Sequence, residues 1–321
     1  MRKIIVLLLV VAIFMSLTAC EDNGDISEVR IAYFPNITHA QALVIKNEGL
    51  LEEKLDIDVK WIAFNAGPAE IEALFAGEID IGYIGPVPAI NGFVQSNGDL
   101  RIIAGATNGG AVLVARNDVD INTAAELDGK TVAVPQFGNT QHLNLLSLLT
   151  ANNLSPTTSG GTVNIVQSSN ADIPNLMEQK NIDAAFVPEP WGSILELNHG
   201  AKLVLDYDEV DVNGIPSTAV VIVRKDFLDS HRDIVEEFIK AHKEATLFIN
   251  DNDVRTIINA QISEVTNNEI ADDVFYSAFE RVVVDEQISK ASIMDFAKIG
   301  EQEGFIQKLP TEDLIDDSFV R

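Results

Sequence analysis

Short apolar runs alternate with amphipathic stretches along most of the chain, the pattern of strands buried in a sheet between helices. Val29 to Phe34 predicts a first buried strand, broken by Pro35-Asn36. Thr38-His39-Ala40-Gln41 fits a capping box that starts a helix running to about Leu51. Ile57 to Phe64 is a second strand. From Phe64 to Ile90 the pattern reads loop, helix, turn, buried strand, loop. Pro68 suits a first helical turn, Ile71, Leu74 and Phe75 share a face, Gly77 ends the helix, and a strand from Asp80 to Ile84 stops at Gly85-Pro86-Val87-Pro88. A helix at about Ala89 to Gln95 follows. Strands at Arg101 to Thr107 and Ala111 to Arg116 flank Asn108-Gly109-Gly110, a Gly-rich reversal that suggests a hairpin or a crossover out of a first lobe.

A second lobe reruns the scheme. It predicts a strand at Thr131 to Pro135, a helix from about Gln141 to Asn152 with Asn139 or Thr140 as N-cap, a strand at Val163 to Gln167 and a helix around Asp172 to Gln179. Ile79-Asp80-Ile81-Gly82-Tyr83-Ile84 matches Ile182-Asp183-Ala184-Ala185-Phe186-Val187, and Pro86-Val87-Pro88 answers Pro188-Glu189-Pro190. The spacing, roughly a hundred residues, is that of a lobe and not of a solenoid repeat. Strands at Lys202 to Leu205 and Ser217 to Arg224 carry the chain back. From Asp226 to Arg321 the pattern is almost all helical, with Ile234, Phe238, Ala241 and Ala245 on one face and Val274, Ala278 and Phe279 on another. These helices are expected to buttress lobe one. The organisation is therefore α/β, each lobe a sheet flanked by helices, with lobe one formed by residues 29–108 and 217–321 and lobe two by 109–216.

Composition narrows the function. With 321 residues and 46% hydrophobic content the chain can bury a core in each of two lobes. The 49 acidic against 22 basic residues give a formal net charge of -27, which disfavours nucleic acid and anionic membrane surfaces. Arg2 and Lys3 precede an apolar run from Ile4 to Leu17 that is too short to span a membrane comfortably, so residues 1–20 read as a targeting segment. It ends in Leu17-Thr18-Ala19-Cys20, which resembles the lipobox of bacterial lipoprotein signal peptides. That resemblance implies cleavage before Cys20, lipid attachment there, and an extracytoplasmic protein anchored to the cell membrane through that lipid. Cys20 is the only cysteine, which excludes disulfides and a cysteine metal site, and residues 21–28 read as a flexible tether.

Catalytic patterns are absent. There is no Gly-x-Ser-x-Gly, no His-Glu-x-x-His and no Gly-rich phosphate loop, so neither an enzyme, a metal nor a cofactor is expected. His39 and His142 could meet across a cleft or each bond locally. Five strand-end loops instead carry small and polar residues: Pro35-Asn36, Asn65-Ala66-Gly67, Gly85-Pro86-Val87, Gly138-Asn139-Thr140 and Pro188-Glu189-Pro190-Trp191. Ligands in open α/β sheets bind outside the carboxyl ends of strands. Several of the loops lead into helix N-termini, each favouring an anionic group by roughly 0.3–1 kcal/mol. None contains Lys or Arg, so an anion would be held by amides and dipoles. The candidate ligand residues are Asn36, His39, Asn65, Gly85, Pro86, Val87, Gly138, Asn139, Thr140, Glu189 and Trp191. Trp191 could wall the ligand or pack within the lobe. Glu189 could meet a ligand ammonium, latch the lobes together, or be a solvated acid.

Phe34-Pro35-Asn36-Ile37-Thr38-His39-Ala40, Asn65-Ala66-Gly67-Pro68, Ile84-Gly85-Pro86-Val87-Pro88-Ala89, Phe137-Gly138-Asn139-Thr140-Gln141 and Pro188-Glu189-Pro190-Trp191 stand in this order behind the lipobox. The set resembles the nitrate/sulfonate/taurine class of ABC importer substrate-binding proteins, over about Val29 to Leu247. The resemblance implies a type II periplasmic-binding-protein fold with two crossovers. It also implies a monomer that clamps a small solute between its lobes, with hinges near Asn108 to Ala111 and Ile215 to Ser217, and delivers it to a membrane permease driven by a separate ATPase. Its ligand loops match Asn36, Gly85 to Pro88, Gly138 to Thr140 and Glu189 to Trp191. The first loop, at Pro35-Asn36, and Pro86-Val87 both depart from the aliphatic-sulfonate binders, which carry other polar residues there. A small anion is the leading solute, and a thiamine- or riboflavin-precursor heterocycle is the alternative. A thiamine-pyrimidine-synthase-like enzyme lacks its cysteine-rich motif here.

Overall fold

A computed structural model describes residues 26–210 and 215–321, so the signal segment, Cys20 and the tether as far as residue 25 lie outside the described residues. Two mixed sheets organise the rest. The first contains β1 (Glu28–Tyr33), β2 (Asp58–Ala63), β3 (Ile81–Ile84), β4 (Leu100–Gly109), β10 (Ser217–Arg224) and β11 (Val282–Val284), in the order β11-β4-β10-β3-β1-β2. The second contains β5 (Ala111–Ala115), β6 (Thr131–Val134), β7 (Asn164–Gln167), β8 (Ala184–Pro188) and β9 (Lys202–Leu205), in the order β7-β6-β8-β5-β9. In each, parallel strands at one side meet a strand that has crossed from the other lobe and pairs antiparallel: β10 beside β3, and β5 beside β8.

The crossover after β4 is a single residue long. Gly109 pairs with Val282 in the first sheet while Ala111 pairs with Pro188 in the second, which decides between hairpin and crossover. Gly109 and Gly110 both have φ of 70°, the left-handed region that glycine tolerates best. A Cβ on Gly110 would also stand 3.0 Å from Thr38 Cγ2.

The repeated Ile-Asp pair has a structural cause. Asp80 Oδ2 accepts the Arg30 N–H of β1 at 3.0 Å, and Asp183 Oδ2 accepts the Thr131 N–H of β6 at 2.9 Å. Each aspartate ties the start of a parallel strand to its neighbour, at the end of the sheet opposite the candidate loops. Asp80 is buried and adds Arg30 Nη2 at 2.7 Å and Arg224 Nη2 at 3.2 Å.

Alternation along β1 sends Ile31 and Tyr33 to one face and Ala32 and Phe34 to the other. The first face is covered by α1 (Ala40–Glu48), α7 (Lys225–Ser230), α8 (Arg232–Asp251), α9 (Arg255–Thr266) and α10 (Asp272–Phe279). The second is covered by α2 (Gly67–Phe75), α3 (Pro86–Ser96) and α11 (Lys290–Gln302). In the second sheet α4 (Thr140–Ala151) covers one face, and α5 (Ile173–Glu178) and α6 (Trp191–His199) the other.

Two local expectations are corrected. Thr38 and Gln41 form no capping box: Thr38 Oγ1 donates to Asn36 Oδ1 at 2.7 Å, Gln41 Nε2 donates to Ala106 O at 2.6 Å, and a 3-10 turn at Ile37–His39 leads into α1. Helix α3 begins at Pro86, because a first turn has no use for the N–H groups that Pro86 and Pro88 lack. The region after Asp226 is almost all helical as expected, its one short strand, β11, closing the edge of the first sheet.

Candidate functional site

Between the two sheets, outside the carboxyl ends of their strands, lies a cavity of about 30 Å³. That is room for about two water molecules or a small ion. The loops after β1, β2, β3, β6 and β7 and the last residue of β8 all reach it, and none of its lining side chains is Lys, Arg, Asp or Glu.

The loops after β1 and β6 are built alike. In the first, the Phe34 N–H donates to His39 Nδ1 at 3.1 Å and the imidazole stacks on Phe34 with centroids 4.4 Å apart. In the second, the Gly138 N–H donates to His142 Nδ1 at 3.2 Å. Each histidine therefore bonds its own loop, and they do not meet. Burial pushes the His39 pKa down to about 3 and that of His142 down to about 4, so both rings are neutral near pH 7. With Nδ1 accepting, the His39 proton sits on Nε2.

Asn139 caps α4, its Oδ1 accepting the His142 N–H at 2.8 Å while its Nδ2 donates to Gln141 Oε1 at 3.0 Å. The Thr140 and Gln141 N–H groups of that first turn have no acceptor among the described residues, and Thr140 Oγ1 is buried without a partner. This helix end favours negative charge. Across the cavity Gly85 caps α3, and a methyl group added there would overlap Thr140 Oγ1. Gly85→Ala is therefore expected to hold the lobes apart, at about 1–3 kcal/mol if they are forced together. Small-angle scattering should record a larger radius of gyration, and an unchanged one would refute the close approach.

Six of the eleven candidates line the cavity: Asn36, His39, Asn65, Gly85, Asn139 and Thr140. Five do not. Val87 points into the core beneath α3 with Ile84 and Ile90, and Pro86 is buried as the first residue of that helix. Gly138 spends its N–H on His142. Trp191 packs with Val187 and Leu195 inside lobe two, and its remaining edge faces an outer groove shared with Ile262 and Ile270.

Glu189 is fully buried behind the cavity-lining Pro188. Its Oε2 accepts the Ser193 N–H at 2.9 Å and its Oε1 meets Arg281 Nη1 at 2.7 Å. Burial raises its pKa, against the opposing pull of Arg281 and Ser193. Arg281 lies between α10 and β11 and also holds Glu196 Oε2 at 2.6 Å and Asp206 Oδ1 at 3.1 Å. Of the three roles open to Glu189, the structure has the link between lobes. It also corrects the view of the C-terminal helices as a buttress for lobe one alone.

Asn170, in the loop after β7, lines the cavity and was missed. Ser168-Ser169-Asn170 is one more polar strand-end stretch, so the rule that selected the other loops applies to it equally.

Among the described residues no group of His, Cys, Asp and Glu could hold a metal ion, and no helix is long and apolar enough to cross a membrane.

A model of the NMT1-like family matches residues 22–263. A Bacillus subtilis protein named for binding aliphatic sulfonates is 25% identical over 343 residues, covering 98% of this chain and 95% of the relative. The taurine-binding periplasmic protein of Escherichia coli is 29% identical over 214 residues, covering 66% of this chain and 63% of that protein. Among solved structures, the alkanesulfonate-binding protein SsuA from Xanthomonas axonopodis pv. citri, bound to MOPS, superposes with a TM-score of 0.76 at 20% identity, covering 92% of this chain and 100% of that one. The likeness to SsuA establishes the fold as the two-lobed periplasmic-binding-protein type.

Proposed function

We propose that this chain, which belongs to the NMT1-like family, is the extracytoplasmic solute-binding protein of an ABC importer. It takes a small solute with an anionic group, such as an alkanesulfonate, taurine or nitrate, between its lobes, which part to admit a solute larger than the cavity of about 30 Å³, and hands it to the permease. The observation that carries this reading is the cavity itself, an uncharged pocket at strand ends contributed by both sheets, with the α4 N-terminus and the Thr140 hydroxyl unspent within it. The names of the sulfonate- and taurine-binding relatives support the same class of solute.

Asn36, His39, Asn65, Gly85, Asn139 and Thr140 are the proposed ligand residues. The lobes are residues 29–108 with 217–321 and residues 109–216, and closure turns about the crossovers near Asn108 to Ala111 and Ile215 to Ser217. Cys20 carries the lipid that holds the monomer at the membrane. The activity is binding and release, without turnover. A heterocycle would call for an aromatic wall, and Trp191, the candidate for one, packs outside the cavity.

A thermal-shift screen of residues 21–321 tests the reading. A ligand at a hundredfold above its Kd is expected to stabilise the native state by about 2.7 kcal/mol. Taurine, ethanesulfonate and nitrate are the probes. A melting temperature unmoved by all three at millimolar concentration would reject the proposed solute class.

A further inference from the structure

Five buried side-chain atoms lack a hydrogen-bond partner among the described residues: Gln41 Oε1, both Glu70 oxygens, Thr140 Oγ1 and Asn170 Oδ1. Only Thr140 and Asn170 of these four residues line the cavity. Three other acceptors on the cavity wall are already spent, whereas the N–H groups at the α4 N-terminus are not. Asn36 Oδ1 takes the Thr38 hydroxyl, Asn139 caps α4 and holds Gln141, and His39 Nδ1 takes the Phe34 N–H. Leaving a buried polar atom unpaired is costly, so a group kept that way at a cavity wall is one whose partner comes from outside the chain.

We propose that Asn170 is a specificity-determining residue of this cavity, hydrogen-bonding the bound solute beside Thr140. The inference rests on the solute-binding reading above and adds to it a residue from a loop with no other part in the site. Asn170 is about nine-tenths buried, at 9% exposure, so its carboxamide is already withdrawn from water. That carboxamide presents Oδ1 or, turned by half a rotation, an Nδ2–H at the same point, and an oxyanion takes the N–H. No lining side chain carries a fixed charge. A carboxylate in place of Asn170 would therefore meet an anionic solute unscreened.

Isothermal titration of residues 21–321 with taurine, ethanesulfonate and nitrate provides the test, with circular dichroism to confirm folding. Asn170→Leu is expected to weaken the bound probe about tenfold or more. Asn170→Ser should lose less, because it keeps a polar group. Asn170→Asp should lose more than Asn170→Leu at pH 8 and regain affinity as the pH falls and the new carboxyl takes a proton, a dependence that a merely structural role would not produce. If the native chain binds a probe and Asn170→Leu or Asn170→Asp binds it equally well, the assignment of Asn170 is overturned while solute binding stands. If the native chain binds none of the three, the solute-binding reading falls and the assignment with it.

Discussion

Arg281→Met is expected to destabilise the protein by about 3–5 kcal/mol, because it leaves Glu189 as a buried acid without its counter-charge. Glu189 is fully buried, and Glu196 and Asp206 converge on the same guanidinium. Burial works against the charge on Arg281, but the hydrogen bonds it donates to Glu196 and Glu189, with their negative charge, outweigh it and raise the arginine pKa. Methionine keeps most of the side-chain stem, so the loss comes chiefly from the charge and its hydrogen bonds. Glu189→Gln in the same chain should restore a substantial part of it, since the buried group is then neutral and can still accept the Ser193 N–H. Urea denaturation of the two single variants and the double variant measures the coupling. A loss below about 1 kcal/mol for Arg281→Met would class the cluster with surface ion pairs. The position gives the cluster a second consequence. Val282, the next residue, pairs with Gly109, and the Glu189 N–H donates to Gly110 O at 2.7 Å, so the charge cluster braces the crossover itself.

Much of this architecture was legible because it is local. Val29 to Phe34 alternates as β1 does, Asn139 caps α4 through its own side chain, and the Ile-Asp repeat marks equivalent strand starts in both lobes. The strand-end rule also pointed to five of the six strand ends that reach the cavity, missing the one after β7. What stayed hidden depends on partners far along the chain. Glu189 and Arg281 are 92 positions apart, and nothing near Glu189 signals that its counter-ion follows α10. β11 has three residues, too few for a period, and exists because β4 runs long enough to offer an edge. Pro86 and Pro88 look like loop residues until the helix is seen to start with them. Trp191 could not be placed from sequence, because a tryptophan in a strand-end loop serves a ligand or a core equally well.

Glu70→Gln is expected to make the protein more stable at alkaline pH, an unusual result for a substitution at a fully buried position. Glu70 lies on α2, completely buried, with both carboxyl oxygens unpartnered among the described residues. Its carboxyl occupies the space above Gly82, where a methyl group would overlap it. Burial raises its pKa well above the ordinary 4.5. The folded state therefore binds a proton that the unfolded chain has lost, over the interval from about pH 4.5 up to the raised value. Within that interval stability falls as pH rises, by about 1.4 kcal/mol for each unit of pKa displacement. Above the raised value the penalty is complete and constant. Glutamine carries no such linkage, so the advantage of Glu70→Gln should grow from pH 5 to pH 8 and be small near pH 5. Glu70→Met should add to it, by relieving an unpaired polar group worth about 1–3 kcal/mol. Urea unfolding at the two pH values decides the matter: a difference between native chain and glutamine variant that did not change with pH would mean that Glu70 finds a partner for its charge. Gly82 sharpens the case. A glycine in the interior of a buried strand is there to make room, and what it makes room for is this carboxyl.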